Sequence, residues 1–260
     1  MTDKPTYVTG HKLLEGKTVL VTAAAGTGIG FATAMRCVEE GCADIVISDI
    51  HERRLAEAAD RIESEAGLRP KTTICNVTDQ AAVESMFRFA ATEMGHVDVL
   101  MNNAGLGGHA RVVDMTDEQW SVVLDVTLNG CFRCTRAALK HMLPRGRGAI
   151  VNNASVLGWR AQEGQAHYAA AKAGVMALTR CAAIEAAEAN VRINCVAPSL
   201  AMHPFLEKVT PPGLLEELQK REAFGRGAEP WEVSNVMVFL ASDYSSYMTG
   251  EVLSVSSQRA

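Results

Sequence analysis

Short runs of β-branched and aliphatic residues alternate with longer stretches of helical period along nearly the whole chain. Thr18–Thr22, Asp44–Ser48, Lys71–Cys75, Val97–Met101, Ala149–Asn153, Arg192–Val196 and Val252–Val255 read as seven strands. Between them Gly28–Glu40, Glu52–Glu65, Gln80–Met94, Glu118–His141, Ala166–Ala189 and Trp231–Leu240 carry helical patterns. Strands that alternate one by one with helices predict an α/β fold, a doubly wound parallel sheet with helices on both faces. In such a sheet ligands bind beyond the carboxyl ends of the strands, where the strand order reverses.

The rhythm fails in two places. Residues 1–15 form an N-terminal extension without a clear pattern, and from Ser199 to Glu229 prolines and a glycine surround one amphipathic stretch, Leu214–Lys220. An irregular segment of that length above the strand ends is a lid over a substrate or a disordered loop. Its apolar residues Met202, Phe205, Leu206, Leu214 and Leu215 favour the lid, with Met202 and Phe205 as candidate substrate contacts.

Composition narrows the functional classes. The 260 residues are 48% hydrophobic and 21% charged, which suits one soluble domain with a full core. A net charge of −5 without blocks of like charge argues against nucleic-acid or membrane-surface binding. The first residues lack the apolar stretch of a signal peptide, and no apolar run approaches a membrane span. Seven scattered cysteines suggest reduced thiols and a cytoplasmic setting. Cys131 and Cys134 have the spacing of a redox or metal pair, but no second Cys/His pair accompanies them, so no metal is expected.

The chemistry gathers at the predicted strand ends. After the first strand, Thr22-Ala23-Ala24-Ala25-Gly26-Thr27-Gly28-Ile29-Gly30 turns into a helix. Glycines there let backbone approach a pyrophosphate, and the helix N-terminus offers amides and a positive dipole. Asp49 ends the second strand, where a carboxylate accepts hydrogen bonds from ribose hydroxyls and repels a 2′-phosphate. No Lys or Arg occupies the glycine turn, so NAD is expected rather than NADP; Arg53 and Arg54 fall on the following helix, on a face expected to be solvated. Tyr168 and Lys172 stand four apart on one helical face, a phenol able to pass a proton to a carbonyl oxygen beside an ammonium that favours the phenolate. Ser155 lies thirteen residues before Tyr168, just after a strand.

Ser155, Tyr168 and Lys172 in that order and spacing resemble the short-chain dehydrogenase/reductase family, and the likeness runs from Gly16 to Val255. It includes Gly28-Ile29-Gly30, Asn102-Asn103-Ala104-Gly105, Phe224-Gly225-Arg226 and Met248-Thr249-Gly250. The resemblance implies a Rossmann-type single domain and a dinucleotide held by Thr22, Gly26, Thr27, Gly28, Ile29, Asp49, Asn76, Val77, Asn103, Ala104, Gly105, Tyr168, Lys172, Pro198 and Ser199. Asn76 stands where relatives carry an Asp that accepts from the adenine amino group, and its side-chain carbonyl can do the same. The Asn103–Gly105 turn is expected to brace the sheet and touch the cofactor through backbone.

The family mechanism makes Tyr168 the acid/base, with Lys172 supporting it and holding the nicotinamide ribose. Ser155 is to bond the substrate oxygen. The implied reaction interconverts a secondary alcohol and a ketone, and the implied assembly is a homodimer or homotetramer built on the helices at 118–141 and 166–189. One residue departs from the pattern: seven positions after Trp120, where relatives place an Asn that holds a relay water, stands Thr127, with Asn129 two further on. Either Thr127 supplies that contact or a local distortion of the helix brings Asn129 round; a straight helix turns the two roughly 200° apart, which favours Thr127 as the relay group.

The strand-five segment resembles 3-oxoacyl-(acyl-carrier-protein) reductases. The departures at Ala23, Thr127, Ser199 and the C-terminus resemble actinobacterial reductases that act on CoA thioesters from steroid-ring breakdown. Three readings stay open: a reductase of a bulky alicyclic or CoA-linked ketone, a carrier-protein reductase, and a non-catalytic dinucleotide sensor.

Overall fold

The structure, a computed structural model, describes residues 4–203, 206 and 212–257. One seven-stranded sheet runs β3-β2-β1-β4-β5-β6-β7, and every pairing is parallel. The strands are β1 (Thr18–Thr22), β2 (Asp44–Asp49), β3 (Lys71–Ile74), β4 (Val99–Asn102), β5 (Gly148–Asn153), β6 (Val191–Pro198) and β7 (Val252–Val255). The helices are α1 (Ile29–Glu39), α2 (Glu52–Ala66), α3 (Gln80–Met94), α4 (Asp117–Leu124), α5 (Gly130–Met142), α6 (Ala166–Ala186), α7 (Pro212–Arg221) and α8 (Pro230–Ala241). Strand order reverses between β1 and β4, so their carboxyl ends flank the crevice where a ligand is expected.

Burial explains why the strands were readable. β1 and β4 are covered on both faces and buried throughout, so they appear as unbroken apolar runs. The β4 reading began two residues early. Val97 and Asp98 precede the strand because the Val97 amide donates to His141 Nε2 and the Asp98 carboxylate binds Arg145 and the Thr18 amide. The amphipathic stretch expected over Leu214–Lys220 is helical as α7, slightly longer than its apolar pattern.

The helix expected over 118–141 is present without a gap from Asp117 to Met142, but it is not α-helical throughout. A π-helical turn, Asp125–Asn129, separates α4 from α5, and the Gly130 amide donates to the Asp125 carbonyl. Close packing surrounds the widened turn. A Cβ on Gly130 would lie 2.7 Å from Val77 Cγ2, and one on Gly174 of α6 would lie 2.9 Å from Leu128. The straight-helix expectation is therefore corrected.

The N-terminal extension is tied to α1 by a buried charge pair. Arg36 donates to Glu40 at 2.6 Å and to the carbonyls of Val8 and Thr9, while Glu40 accepts from the amides of His11 and Leu13. No helix among the described residues is long and apolar enough to cross a membrane.

Candidate functional site

The turn after β1 keeps an open cradle. Gly26 has φ +99°, with nothing within 4 Å of the place a Cβ would take, and at Gly28 only the His203 ring comes within 3.9 Å. Gly30 is the opposite case, since a Cβ there would overlap the Ala23 carbonyl oxygen and lie 2.5 Å from Asn103 Nδ2. Helix α1 begins after Gly28 with no side-chain cap and no acidic residue in its first turn. Its leading amides thus face the cradle, which suits an anionic diphosphate. Ala23 takes φ +52°, a left-handed conformation that residues other than glycine seldom adopt.

Asp49 closes β2 with its carboxylate accepting from the Ala25 amide at 3.2 Å and the His51 amide at 3.1 Å. Burial pushes its carboxyl above the usual range, opposed by the backbone at Ala25 and Ile50 and by the nearby Arg54. Arg53 is exposed and ion-paired with Glu57 at 2.5 Å, on the solvated face expected for it. Arg54 is half-buried and its charge reaches Asp49, which the helical position alone did not reveal.

Several expected cofactor contacts turn out to be occupied by the protein itself. The Thr22 hydroxyl is fully buried and accepts from the amides of Asn103 and Ala104, at 2.9 and 3.1 Å. Those two amides are therefore committed to the protein. Asn76 uses its side-chain oxygen to accept from the Thr78 amide and hydroxyl, so both lone pairs of the expected adenine acceptor are engaged. Val77 is buried against Gly130. Thr27 is exposed and Ile29 opens α1. Pro198 ends β6, and the Ser199 amide is bonded to Val255.

Lys172 is the buried charge of this region, 3% exposed on the inner face of α6. Its ammonium donates to the Asn153 carbonyl at 2.6 Å and lies 5.4 Å from the Tyr168 ring centroid. A carbonyl and a π face compensate a cation that burial would otherwise make costly. Ser155 follows the end of β5, also buried, accepting from the Leu157 amide at 3.2 Å. Its hydroxyl lies 3.5 Å from the Pro198 carbonyl. Residues separated by up to 43 positions thus meet where β5, β6 and α6 converge.

Thr127 faces inward and Asn129 outward despite the π turn. The Thr127 hydroxyl accepts from the Leu106 amide at 2.9 Å and donates to the Leu106 carbonyl at 3.0 Å, whereas exposed Asn129 binds Asp125. A Cβ on Gly105 would lie 3.3 Å from Lys172 Nζ and 3.8 Å from Thr127 Oγ1, so this glycine keeps a narrow gap between the two groups.

Of the two candidate substrate contacts, Met202 bonds through its amide to Ala228, and its side chain packs toward Gly227 and Gln219. Phe205 lies outside the described residues. Sequence reasoning missed the Asn153 carbonyl that holds Lys172, because a backbone acceptor carries no residue signature. It also missed His167, buried beside Tyr168.

The comparisons agree with this geometry. A family model described as Enoyl-(Acyl carrier protein) reductase matches residues 23–257. A Mycobacterium tuberculosis protein named (5R,7aS)-5-hydroxy-7a-methyl-1-oxo-2,3,5,6,7,7a-hexahydro-1H-indene-carboxyl-CoA reductase is 60% identical over 256 residues, 98% of this chain and 97% of that protein. A 3-oxoacyl-(acyl-carrier-protein) reductase from Thermotoga maritima is 39% identical, over 93% of this chain and 97% of that protein. A crystal structure of a short chain dehydrogenase from Mycobacterium smegmatis superposes with a TM-score of 0.88 at 57% identity, covering 99% of each chain. With the cradle at α1, the switch point between β1 and β4 and Lys172 beneath Tyr168, these matches place the chain in the short-chain dehydrogenase/reductase family of oxidoreductases.

Proposed function

We propose that this protein is an NAD(H)-dependent reductase that interconverts a bulky alicyclic ketone, carried as a CoA thioester, and its secondary alcohol. The observation that carries the reaction is the buried ammonium of Lys172 beside the Tyr168 ring. The substrate class rests on the relative whose name specifies a bicyclic carboxyl-CoA, 60% identical over almost the full length of both chains.

The residues fit a nicotinamide dinucleotide: the open cradle at Gly26 and Gly28 and the uncapped start of α1 suit its diphosphate, and Asp49 suits the adenosine ribose. When bound, that group supplies or accepts a hydride. Tyr168 gives its phenolic proton to the ketone oxygen as charge develops there, and takes it back in the alcohol direction. The Lys172 ammonium stabilises the phenolate left behind. Ser155 donates a hydrogen bond to the substrate oxygen, which stabilises the same developing charge.

Proton resupply runs past Lys172 by a water that Thr127 holds, its hydroxyl proton being committed to the Leu106 carbonyl so that a remaining lone pair accepts from that water. The gap beside Gly105, bordered by Lys172 Nζ and Thr127 Oγ1, suits one water bridging the two. Thr127→Val should therefore slow turnover by about tenfold or more, the low side of an acid–base contribution. Asn129→Ala should change it much less, since Asn129 faces solvent. Stopped-flow and steady-state rates of both variants decide the matter, and the reverse ordering would refute the relay.

Cofactor choice rests on Asp49. Its carboxylate repels a 2′-phosphate, and Asp49→Ala should erode a preference for NADH measured as the ratio of kcat/KM for NADH and NADPH. A wild-type preference for NADPH would mean that half-buried Arg54, which already acts on Asp49, reaches the phosphate.

Carrier-protein reduction is the weaker reading. Arg145 and Arg147 both contact Asp98, at 2.9 and 3.5 Å, at the amino ends of the strands, which leaves Arg180 as the exposed cation on α6 beside exposed Glu185 and Glu188. That arrangement offers an acidic partner little attraction. Side-by-side rates on a bicyclic ketone CoA thioester, acetoacetyl-CoA and an acetoacetyl carrier protein test the substrate class. The bicyclic thioester should be fastest, and equal or better rates on the carrier protein would favour the alternative. Assembly as a homo-oligomer follows from the same family reading and is supported by exposed Trp120 and Phe132 on α4 and α5 and Ile184 on α6. All seven cysteines are free thiols, which suits a reducing cytoplasm.

A further inference from the structure

The turn after β4 and the segment leading into α6 are joined by contacts that place histidine rings on glycines. Gln165 Nε2 donates to the Gly108 carbonyl at 2.7 Å, and the Ala110 amide donates to the Gly164 carbonyl at 3.0 Å. A Cβ on Gly108 would stand 2.8 Å from His167 Nε2. On the other strand of the junction, a Cβ on Gly164 would stand 2.5 Å from His109 Nε2. Each glycine therefore leaves the room that a ring from the facing segment fills. One residue earlier, a Cβ on Gly107 would stand 3.9 Å from Tyr168 Cδ2, so the Tyr168 ring lies directly beside this turn.

His167 holds an unusual place in the junction. It precedes Tyr168, is 1% exposed, and its Nδ1 is buried without a hydrogen-bond partner. Burial pushes its pKa down, Gln165 backbone opposes that, and His109 lowers it further. A leucine or methionine would fill the same volume without burying ring nitrogens. The ring is wedged between α6 and the turn that flanks the tyrosine.

We propose that His167 is a positioning residue for the reaction: seated on Gly108, its ring holds the Gly107–Gly108 turn as the wall against which the Tyr168 ring rests. Lys172 fixes the tyrosine from within α6, and the clasp between His167 and Gly108 fixes it from the opposite segment. The clasp touches neither the α1 cradle nor Asp49, so the diphosphate and adenosine end of the dinucleotide site should not depend on it. The inference rests on Tyr168 being the acid/base.

The test is a double-mutant cycle of His167→Ala and Gly108→Ala, read as kcat, KM for the ketone, NADH Kd by fluorescence titration, and Tm. Each single variant should lower kcat by about tenfold to a hundredfold through misplacement of the reacting group. NADH Kd should stay within about twofold in both. Gly108→Ala should add almost nothing in the His167→Ala background, where its methyl meets no ring. His167→Gln, which keeps a polar side chain of similar reach, guards against a folding defect and should lose kcat with Tm preserved.

Multiplicative effects of the two alanine changes would overturn the clasp, as would unchanged kcat in variants whose Tm alone falls. Tyr168→Phe assayed alongside separates the two claims. An active Tyr168→Phe refutes the acid/base reading and with it the positioning role, whereas an inactive one beside multiplicative clasp variants refutes the clasp alone.

Discussion

Tyr168→Phe should lower turnover by about 10³-fold or more, within the range for a positioned acid–base group. The change removes one hydroxyl and leaves the ring that lies beside Gly107 and near the Lys172 ammonium. Lys172 keeps its bond to the Asn153 carbonyl, so the buried cation is not orphaned and the variant should fold. NADH affinity should be nearly unchanged, because the cradle at Gly26 and Gly28 and the Asp49 carboxylate lie on other elements. Steady-state rates with NADH titration by fluorescence check both halves. Retention of more than about a tenth of the activity would exclude the role assigned here, since a true acid–base group contributes far more.

Gly30→Ala should have the largest effect on the cofactor end. A methyl there must displace the Ala23 carbonyl or the Asn103 amide, and that amide itself donates to the carbonyls of Thr22 and Ala23 at 3.3 and 3.2 Å. Overpacking of this kind costs about 1–3 kcal/mol. The strain falls on the turn that shapes the cradle, so NADH affinity should drop by about 100-fold, equivalent to ~2.7 kcal/mol. Gly26→Ala offers a contrast in kind: it meets no neighbour, and its penalty comes from φ +99° alone. Isothermal titration of both variants measures the difference. Wild-type affinity in Gly30→Ala would mean that the turn relaxes freely and that its close contacts do not shape the site.

Most of the fold was legible because the sheet is buried on both sides. β1 and β4 show as apolar runs, and α2 or α3 as periodic ones ending at Gly67 and Gly95. The π turn was not legible, since it accompanies Gly130 against Val77, Leu128 against Gly174 and Thr127 against Leu106, all contacts between distant segments. Thr127 was nevertheless assigned the inward direction, and for a reason that did not apply: the helix is not straight, yet two steps of a π turn also carry Asn129 to the far side.

In the candidate site, residue types were legible and their internal partners were not. Thr22 and Asn76 stand where cofactor contacts were expected, but their polar atoms brace neighbouring turns. His167 shows the limit most plainly. It is adjacent in sequence to Tyr168, but a step of one residue on a helix turns the side chain by about 100°, toward Gly108 and a segment about sixty positions away.

The central claim is hydride transfer to a carbonyl carbon with Tyr168 supplying the proton to oxygen. The direct measurement uses NADH carrying deuterium at nicotinamide C4 and a bicyclic ketone CoA thioester that also holds a conjugated carbon–carbon double bond, with the product read by mass spectrometry and NMR. The account predicts deuterium on the new carbinol carbon, the double bond intact, and no such product from Tyr168→Phe. Deuterium at the β-carbon of a saturated ketone would contradict it, because the chain would then reduce the alkene and not the carbonyl.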